Sequence, residues 1–135
     1  ELIAPLMKEK KLALDSLEKR VAYQDPCTLG RGFRVFDAPR QLLAAVPGLQ
    51  LVEMENNRER SLCCGANPWA YCGSVNRQIQ GQRLAQAQSV KAEVLVTACP
   101  KCQIHLKCGQ KSNDDQVAQV EIRDLACLVA GALRR

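Results

Sequence analysis

A chain of 135 residues, 47% hydrophobic and 24% charged, has the makeup of one globular domain with a modest core. It holds no run of about eighteen apolar residues, and its start, Glu-Leu-Ile-Ala-Pro, has neither an initiator Met nor a basic-then-apolar signal; this predicts no membrane insertion, no secretion, and a chain cut from a longer one. The net charge of +5 counts every thiol as neutral, and with no aromatic-and-basic interleaving to argue for nucleic acid, the basic excess reads as balance for an anionic site.

Residues 1–19 read as a helical lead-in, because 8–19 are rich in Lys, Leu, Ala and Glu and place Leu14 and Leu17 on one helical face. Residues 20–135 then form one domain. Arg20 to Tyr23 is a short strand, and Asp25-Pro-Cys-Thr-Leu-Gly30 a loop. Asp37 caps a helix over 38–46 that Pro47-Gly48 stops. Residues 49–54 form a second strand, and the polar stretch 55–60 leads into Cys63-Cys64. From 75 to 91 the Gln, Arg and Ala content favours a helix, with Gly81 interrupting it. Residues 93–97 are a continuous apolar run of the kind buried in parallel sheets. Pro100 suits the first turn of a helix running towards Lys107. Residues 109–116 read as a polar loop, 117–122 as a fourth strand and 124–133 as a closing helix.

Strands alternating with helices define an α/β class: a small Rossmann-like domain with a mostly parallel sheet of about four strands flanked by helices. In such a sheet the loops after the strands emerge at one carboxyl edge, where ligands bind. Cys27 follows the first strand, Cys63 and Cys64 the second, and Cys99 and Cys102, as Cys-Pro-Lys-Cys, the third. Thiolates suit zinc, copper(I) and iron-sulfur clusters, and regular secondary structure argues against a disulfide scaffold, so the five cysteines are read as ligands of one metal centre. Cys99 stands before a helix start, where free amides and the dipole favour a thiolate. Gly65 permits close approach or an unusual backbone angle.

Three segments carry a resemblance: Tyr23-Gln-Asp-Pro-Cys-Thr-Leu-Gly-Arg31, Ser61-Leu-Cys-Cys-Gly-Ala66 and Val94-Leu-Val-Thr-Ala-Cys-Pro-Lys-Cys102. From about Val21 to the end the chain resembles the cysteine-rich CCG domain of heterodisulfide reductase catalytic subunits and related iron-sulfur oxidoreductases. The resemblance implies a noncubane 4Fe-4S cluster on Cys27, Cys63, Cys64, Cys99 and Cys102, at which a disulfide is reduced or from which electrons pass on. It also implies redox partners carrying ferredoxin-like clusters or flavin, a thiol or disulfide substrate, and a cytoplasmic setting with membrane attachment through partner subunits. Two departures reshape the cavity. Asn67-Pro-Trp-Ala-Tyr-Cys72-Gly73 replaces the family's glycine-rich stretch, and Thr28 stands where His is frequent.

Two other function classes stay open: a zinc-binding structural or interaction module, which needs only four ligands, and an electron relay to quinone or a partner protein without a disulfide substrate. Cys72 and Cys108 are additional ligand candidates. His105, three residues past Cys102, is a candidate proton donor to a leaving thiolate, or else packs. Arg31, Arg34 and Lys101 are candidates for tuning the cluster's potential, with Gly65 and Leu29-Gly30 around it and Trp69 and Tyr71 as cavity walls. Cys127 falls off the apolar stripe of its helix.

Overall fold

The computed structural model describes residues 5–6, 9, 12–66, 72–111 and 118–134. Four strands form one sheet: β1 (Lys19–Gln24), β2 (Leu49–Val52), β3 (Val94–Thr97) and β4 (Glu121–Asp124). Their order is β2-β1-β3-β4 and every pairing is parallel, with Val21 opposite Val94 and Val94 opposite Glu121. The chain therefore reverses its direction of travel across the sheet between β1 and β3, the position at which open α/β sheets bind ligands. Residues 21–24 of β1 and all of β3 are buried, which is why these strands are continuous apolar runs rather than alternating ones.

Alternation along the strands splits the core in two. Val21, Tyr23, Val94 and Val96 face one way, onto Leu42, Leu43 and Val46 of or beside helix α1 (Asp37–Ala44) and Leu125, Leu128 and Val129 of α4 (Leu125–Gly131). Ala22, Leu95 and Ile122 face the other way, onto Leu84 and Ala87 of α2 (Ser74–Ser89) and Leu106 of α3 (Pro100–Lys111). Cys64 and Cys102 belong to this second core. The cysteine loops are thus anchored in packed apolar material, where each fully buried large side chain contributes about 1.5–3 kcal/mol.

The α/β class and the parallel sheet are as the sequence predicts; several boundaries and one segment are not. Residues 12–18 are irregular, with one bridge at Leu14, rather than helical. Leu14 bridges Leu133, the Asp15 amide donates to the Ala132 carbonyl at 2.8 Å, and the Leu17 amide donates to the Pro47 carbonyl at 2.8 Å. Leu12, Leu14 and Leu17 pack on the first core. Helix propensity differs by only tenths of a kcal/mol per residue, less than the burial of three leucines, so packing decides. Helical geometry in this region is described only at 5–6, and residues 1–4, 7–8 and 10–11 lie outside the described residues.

The fourth strand starts later than the apolar run 117–122. Ala118 and Val120 are buried beside the ladder, and the Gln110 side-chain amide donates to both their carbonyls at 3.1 and 2.9 Å, taking the place of a neighbouring strand. Asp37 is not the cap of α1 but its first residue, ion-paired with Arg58 at 2.7 Å. Helix α3 continues through residues read as loop as far as Lys111, with Gly109 buried against Gln80; residues 112–117 lie outside the described set. Gly81 does not break α2.

Candidate metal centre

The loop after β1 is fixed by charge. Asp25 is buried and receives both terminal nitrogens of Arg40 at 2.8 and 2.9 Å, plus the Arg58 amide at 2.9 Å. The same guanidinium reaches Glu53 at 2.6 and 2.9 Å and the Phe36 carbonyl at 2.8 Å. A bidentate Arg–carboxylate pair with its remaining donors satisfied holds its geometry well, so Asp25-Pro26 delivers Cys27 to a defined place. Cys27 begins a single π-helical turn, Thr28–Gly32. From that turn Arg31 donates to the Ser61 carbonyl at 2.6 Å, tying the first cysteine loop to the second.

The Cys63-Cys64 pair turns on Gly65, whose φ is +86°. A Cβ there would lie 2.7 Å from the Asn76 carbonyl and 3.4 Å from His105 Nε2. The Asn76 side chain donates to the Gly65 carbonyl at 2.5 Å, and the Gly65 amide donates to Cys63 Sγ at 3.4 Å. The third loop places Cys99 just ahead of α3 and Cys102 in its first turn, with the Gln103 amide bonded to the Cys99 carbonyl at 3.0 Å.

Cys64 is pulled down to about 6, first by a hydrogen bond from the Cys102 thiol, then with help from the Ala66 amide and Cys63 against the opposing effect of burial. Cys102 is pushed up, first by Cys64, then by burial and by Cys99. Hydrogen bonding from Cys102 and from backbone amides favours the Cys64 thiolate over that of Cys102. Cys63 is pushed up by burial, against the Gly65 amide, with Cys64 and Cys27 adding to the rise. Among the described residues, no three His, Cys, Asp or Glu side chains gather tightly enough to hold a single metal ion. The five cysteines lie on the segments that follow β1, β2 and β3, at the carboxyl edge of the sheet. A donor set of five thiols, with amides aimed at sulfur and a glycine cradle that admits no Cβ, fits a thiolate-bound cluster of several metals.

The other sequence candidates fall elsewhere. Cys72 and Cys108 line a cavity of about 250 Å³ with Arg77, Gln80 and Lys111, and Gln80 Nε2 lies 3.7 Å from Cys72 Sγ. His105 is buried; its Nε2 has no hydrogen-bond partner among the described residues, and burial lowers its pKa against a smaller opposing pull from the Gly65 backbone. Arg34 pairs with Glu59 at 3.4 Å, and Lys101 is exposed in the first turn of α3. Cys127 is exposed on α4. Trp69 and Tyr71 lie outside the described residues.

Sequence reasoning missed the Asp25–Arg40–Glu53 network and the fully buried Arg83 of α2. Arg83 donates through Nε to Gln24 Oε1, at 2.7 Å to the Asn56 carbonyl, at 2.6 Å to Gln86 Oε1 and at 3.2 Å to Ser61 Oγ. The Asp ahead of Pro26 and Cys27 is a readable sign of the first; nothing in an Arg-rich, Gln-rich helix signals the second.

A parallel α/β sheet with five cysteines on the segments at its carboxyl edge defines the class, a cysteine-rich α/β domain. Residues 21–107 match the model of the CCG cysteine-rich domain, and the chain belongs to that family. It is 38% identical over 136 aligned positions to a subunit of the dihydromethanophenazine:CoB–CoM heterodisulfide reductase of Methanosarcina acetivorans, covering 98% of this chain and 32% of that protein. It is 39% identical to a probable iron-sulfur-binding oxidoreductase of Bacillus subtilis, over 93% of this chain and 18% of that protein. It is 32% identical to a subunit of the CoM/CoB fumarate reductase of Methanothermobacter marburgensis, over 71% of this chain and 19% of that protein. The chain thus spans a third or less of the length of these relatives. No helix among the described residues is long and apolar enough to cross a membrane.

Proposed function

We propose that this domain holds a noncubane 4Fe-4S cluster on Cys27, Cys63, Cys64, Cys99 and Cys102 and serves an oxidoreductase that splits a disulfide. The observation that carries the reading is the placement of five cysteines on the three segments after β1, β2 and β3, at one carboxyl edge, with the Gly65 amide donating to Cys63 Sγ at 3.4 Å. A single zinc ion takes four ligands about one point, whereas a cluster of several irons can use all five thiols; this supports iron and sulfide over the zinc alternative. Relatives named as subunits of heterodisulfide reductase and fumarate reductase, and as an iron-sulfur-binding oxidoreductase, point the same way.

The cluster, when bound, supplies electrons singly to a sulfur that needs two. The overall step takes one disulfide, two electrons and two protons to two thiols. The electrons come from a partner subunit or domain with ferredoxin-like clusters or flavin. This chain's own residues hold the loops: Asp25 and Arg40 fix the first, Gly65 and Asn76 the second, the start of α3 the third. Amides of Gly65 and Ala66 stabilise negative sulfur.

A second reading, relay of electrons to a partner without a disulfide substrate, draws on three exposed large apolar side chains, Phe33, Val75 and Ile104. All stand on segments that start at the cysteine edge, a placement suited to a docking partner. Anaerobic reconstitution followed by iron, sulfide and zinc analysis tests the cluster: about four irons and about four sulfides per chain are expected, lost in Cys64→Ser and Cys99→Ser. Zinc without sulfide would overturn it. A paramagnetic signal that appears only with added thiol separates disulfide chemistry from relay.

A further inference from the structure

Arg83 is 0% exposed, yet no carboxylate pairs with it among the described residues. Its four acceptors, on Gln24, Asn56, Gln86 and Ser61, are all neutral. The carboxylates closest in effect, Asp25 and Glu53, are bonded to Arg40 and act on Arg83 only through space. Burial lowers its pKa to about 10, while Asp25 and Glu53 favour its charge. Arginine stays ionised even so. A buried cation held by neutral acceptors is costly unless negative charge lies near it.

Its surroundings indicate where that charge belongs. Gln24 ends β1 at the switch point and also donates to the Leu62 carbonyl at 3.2 Å. Ser61 opens the segment that carries Cys63 and Cys64. The guanidinium therefore binds both the end of β1 and the residue two ahead of Cys63, and α2, which carries it, packs on the same face of the sheet as Cys64 and Cys102. Five thiolates around a cluster make that region strongly anionic, and each added electron makes it more so.

Resting on the cluster reading above, we propose that Arg83 is the built-in counter-cation of the metal centre, a positioning residue that favours its reduced state and so raises its reduction potential. The hydrogen bonds fix where the cation sits; the cluster supplies the anion that the fold withholds. A unit charge within about 12 Å at an effective dielectric constant of about 20 changes such an equilibrium on the order of tenfold. For one electron, tenfold corresponds to about 59 mV.

The test is an EPR-monitored redox titration of the anaerobically purified protein and three variants. Arg83→Lys keeps the charge and loses most of the hydrogen bonds; Arg83→Gln loses both. The midpoint is expected to stay near the wild-type value in the lysine variant and fall by about 59 mV in the glutamine variant. Equal midpoints in the two would overturn the proposal, because a purely structural role depends on the bonds and not the charge. Gln86→Glu covers the case in which both Arg83 variants fail to fold. It sets a carboxylate of the same shape at a half-buried site 2.6 Å from Arg83, and should lower the midpoint while raising the stability of the cluster-free chain; an unchanged midpoint overturns the proposal. If the wild type binds iron and sulfide yet its potential ignores these substitutions, only the role of Arg83 fails. If it binds neither, the cluster reading fails first.

Discussion

The same substitution at two glycines should have opposite effects. At position 65 the backbone φ is +86°, where a residue with a Cβ loses about 1–2 kcal/mol. The new methyl would also lie 2.7 Å from the Asn76 carbonyl, which is helix backbone and cannot rotate away. Forcing a carbon into such a contact costs about 1–3 kcal/mol, so Gly65→Ala should lose about 2–5 kcal/mol. For a domain of this length each kcal/mol moves Tm by about 3–4 °C, giving a fall of roughly 6–20 °C. At position 81 a Cβ meets nothing within 4 Å and the residue sits inside α2. Gly81→Ala should gain about 0.5–1 kcal/mol, or about 2–4 °C. Thermal unfolding of the cluster-free protein followed by circular dichroism measures both. Iron and sulfide content then tells whether Gly65→Ala also displaces the cysteine pair, as its bonds to Cys63 Sγ and Asn76 require. A Gly65→Ala variant that melts within about 2 °C of wild type would refute the cradle, since neither strain nor contact would then be present.

Three further outcomes follow from the charges and thiols. Asp25→Ala removes the bidentate partner of Arg40 and the acceptor of the Arg58 amide; Glu53 remains, so the loss should sit near the low end for a broken buried pair, about 3 kcal/mol by urea unfolding, and a change below about 1 kcal/mol would show the network to be slack. Glu93 is held below the usual carboxylate range by the Arg20 amide and then by Lys19; a lowered acid contributes stability that is complete above its ordinary value of 4.5 and lost as pH falls through the folded value, so the wild-type urea midpoint should drop faster than that of Glu93→Gln on acidification below 4.5, and parallel curves would count against it. Cys127→Ser alters an exposed thiol outside the proposed ligand set; stability should move by less than about 0.5 kcal/mol with iron content unchanged, and loss of iron would mean that the ligand set is drawn wrongly.

The parts of the fold that sequence makes legible are those decided locally or by strand burial. Residues 94–97 are apolar without alternation because both sheet faces are covered, and that pattern places β3 within one residue of its observed start. Helix starts at Pro100 and near Ser74 follow from first-turn chemistry and composition. Residues 12–18 are not legible, because their helix-forming composition is overruled by three leucines packing on the first core and by backbone pairing with Pro47 and with the far end of the chain, at Ala132 and Leu133. The β4 shift has the same origin: Gln110, on a different element, satisfies carbonyls that the apolar run alone would assign to a strand. At the site, the five cysteines are visible as chemistry, but what holds them is not. Asp25, Arg40 and Glu53 come from three separate segments, and no spacing rule joins them.

The two buried arginines at this sheet edge show how one residue type divides between structure and chemistry. Arg40 meets two carboxylates and a carbonyl through a full set of short bonds, so its charge is neutralised within the fold, and its burial also rests on the Tyr23 ring 5.3 Å from its guanidinium carbon. Arg83 is at least as deeply buried and is held by neutral groups alone, so its field extends into the region around it. A hydrophobic residue of similar volume in place of Arg40 would have to be matched by loss of Asp25 and Glu53 to avoid stranded anions. In place of Arg83 it would strand only neutral acceptors, on Gln24, Asn56, Gln86 and Ser61. Replacing Arg83 should therefore cost the fold less than replacing Arg40 without its carboxylates, which leaves the charge of Arg83 free to act on whatever anion the neighbouring cysteine loop would hold.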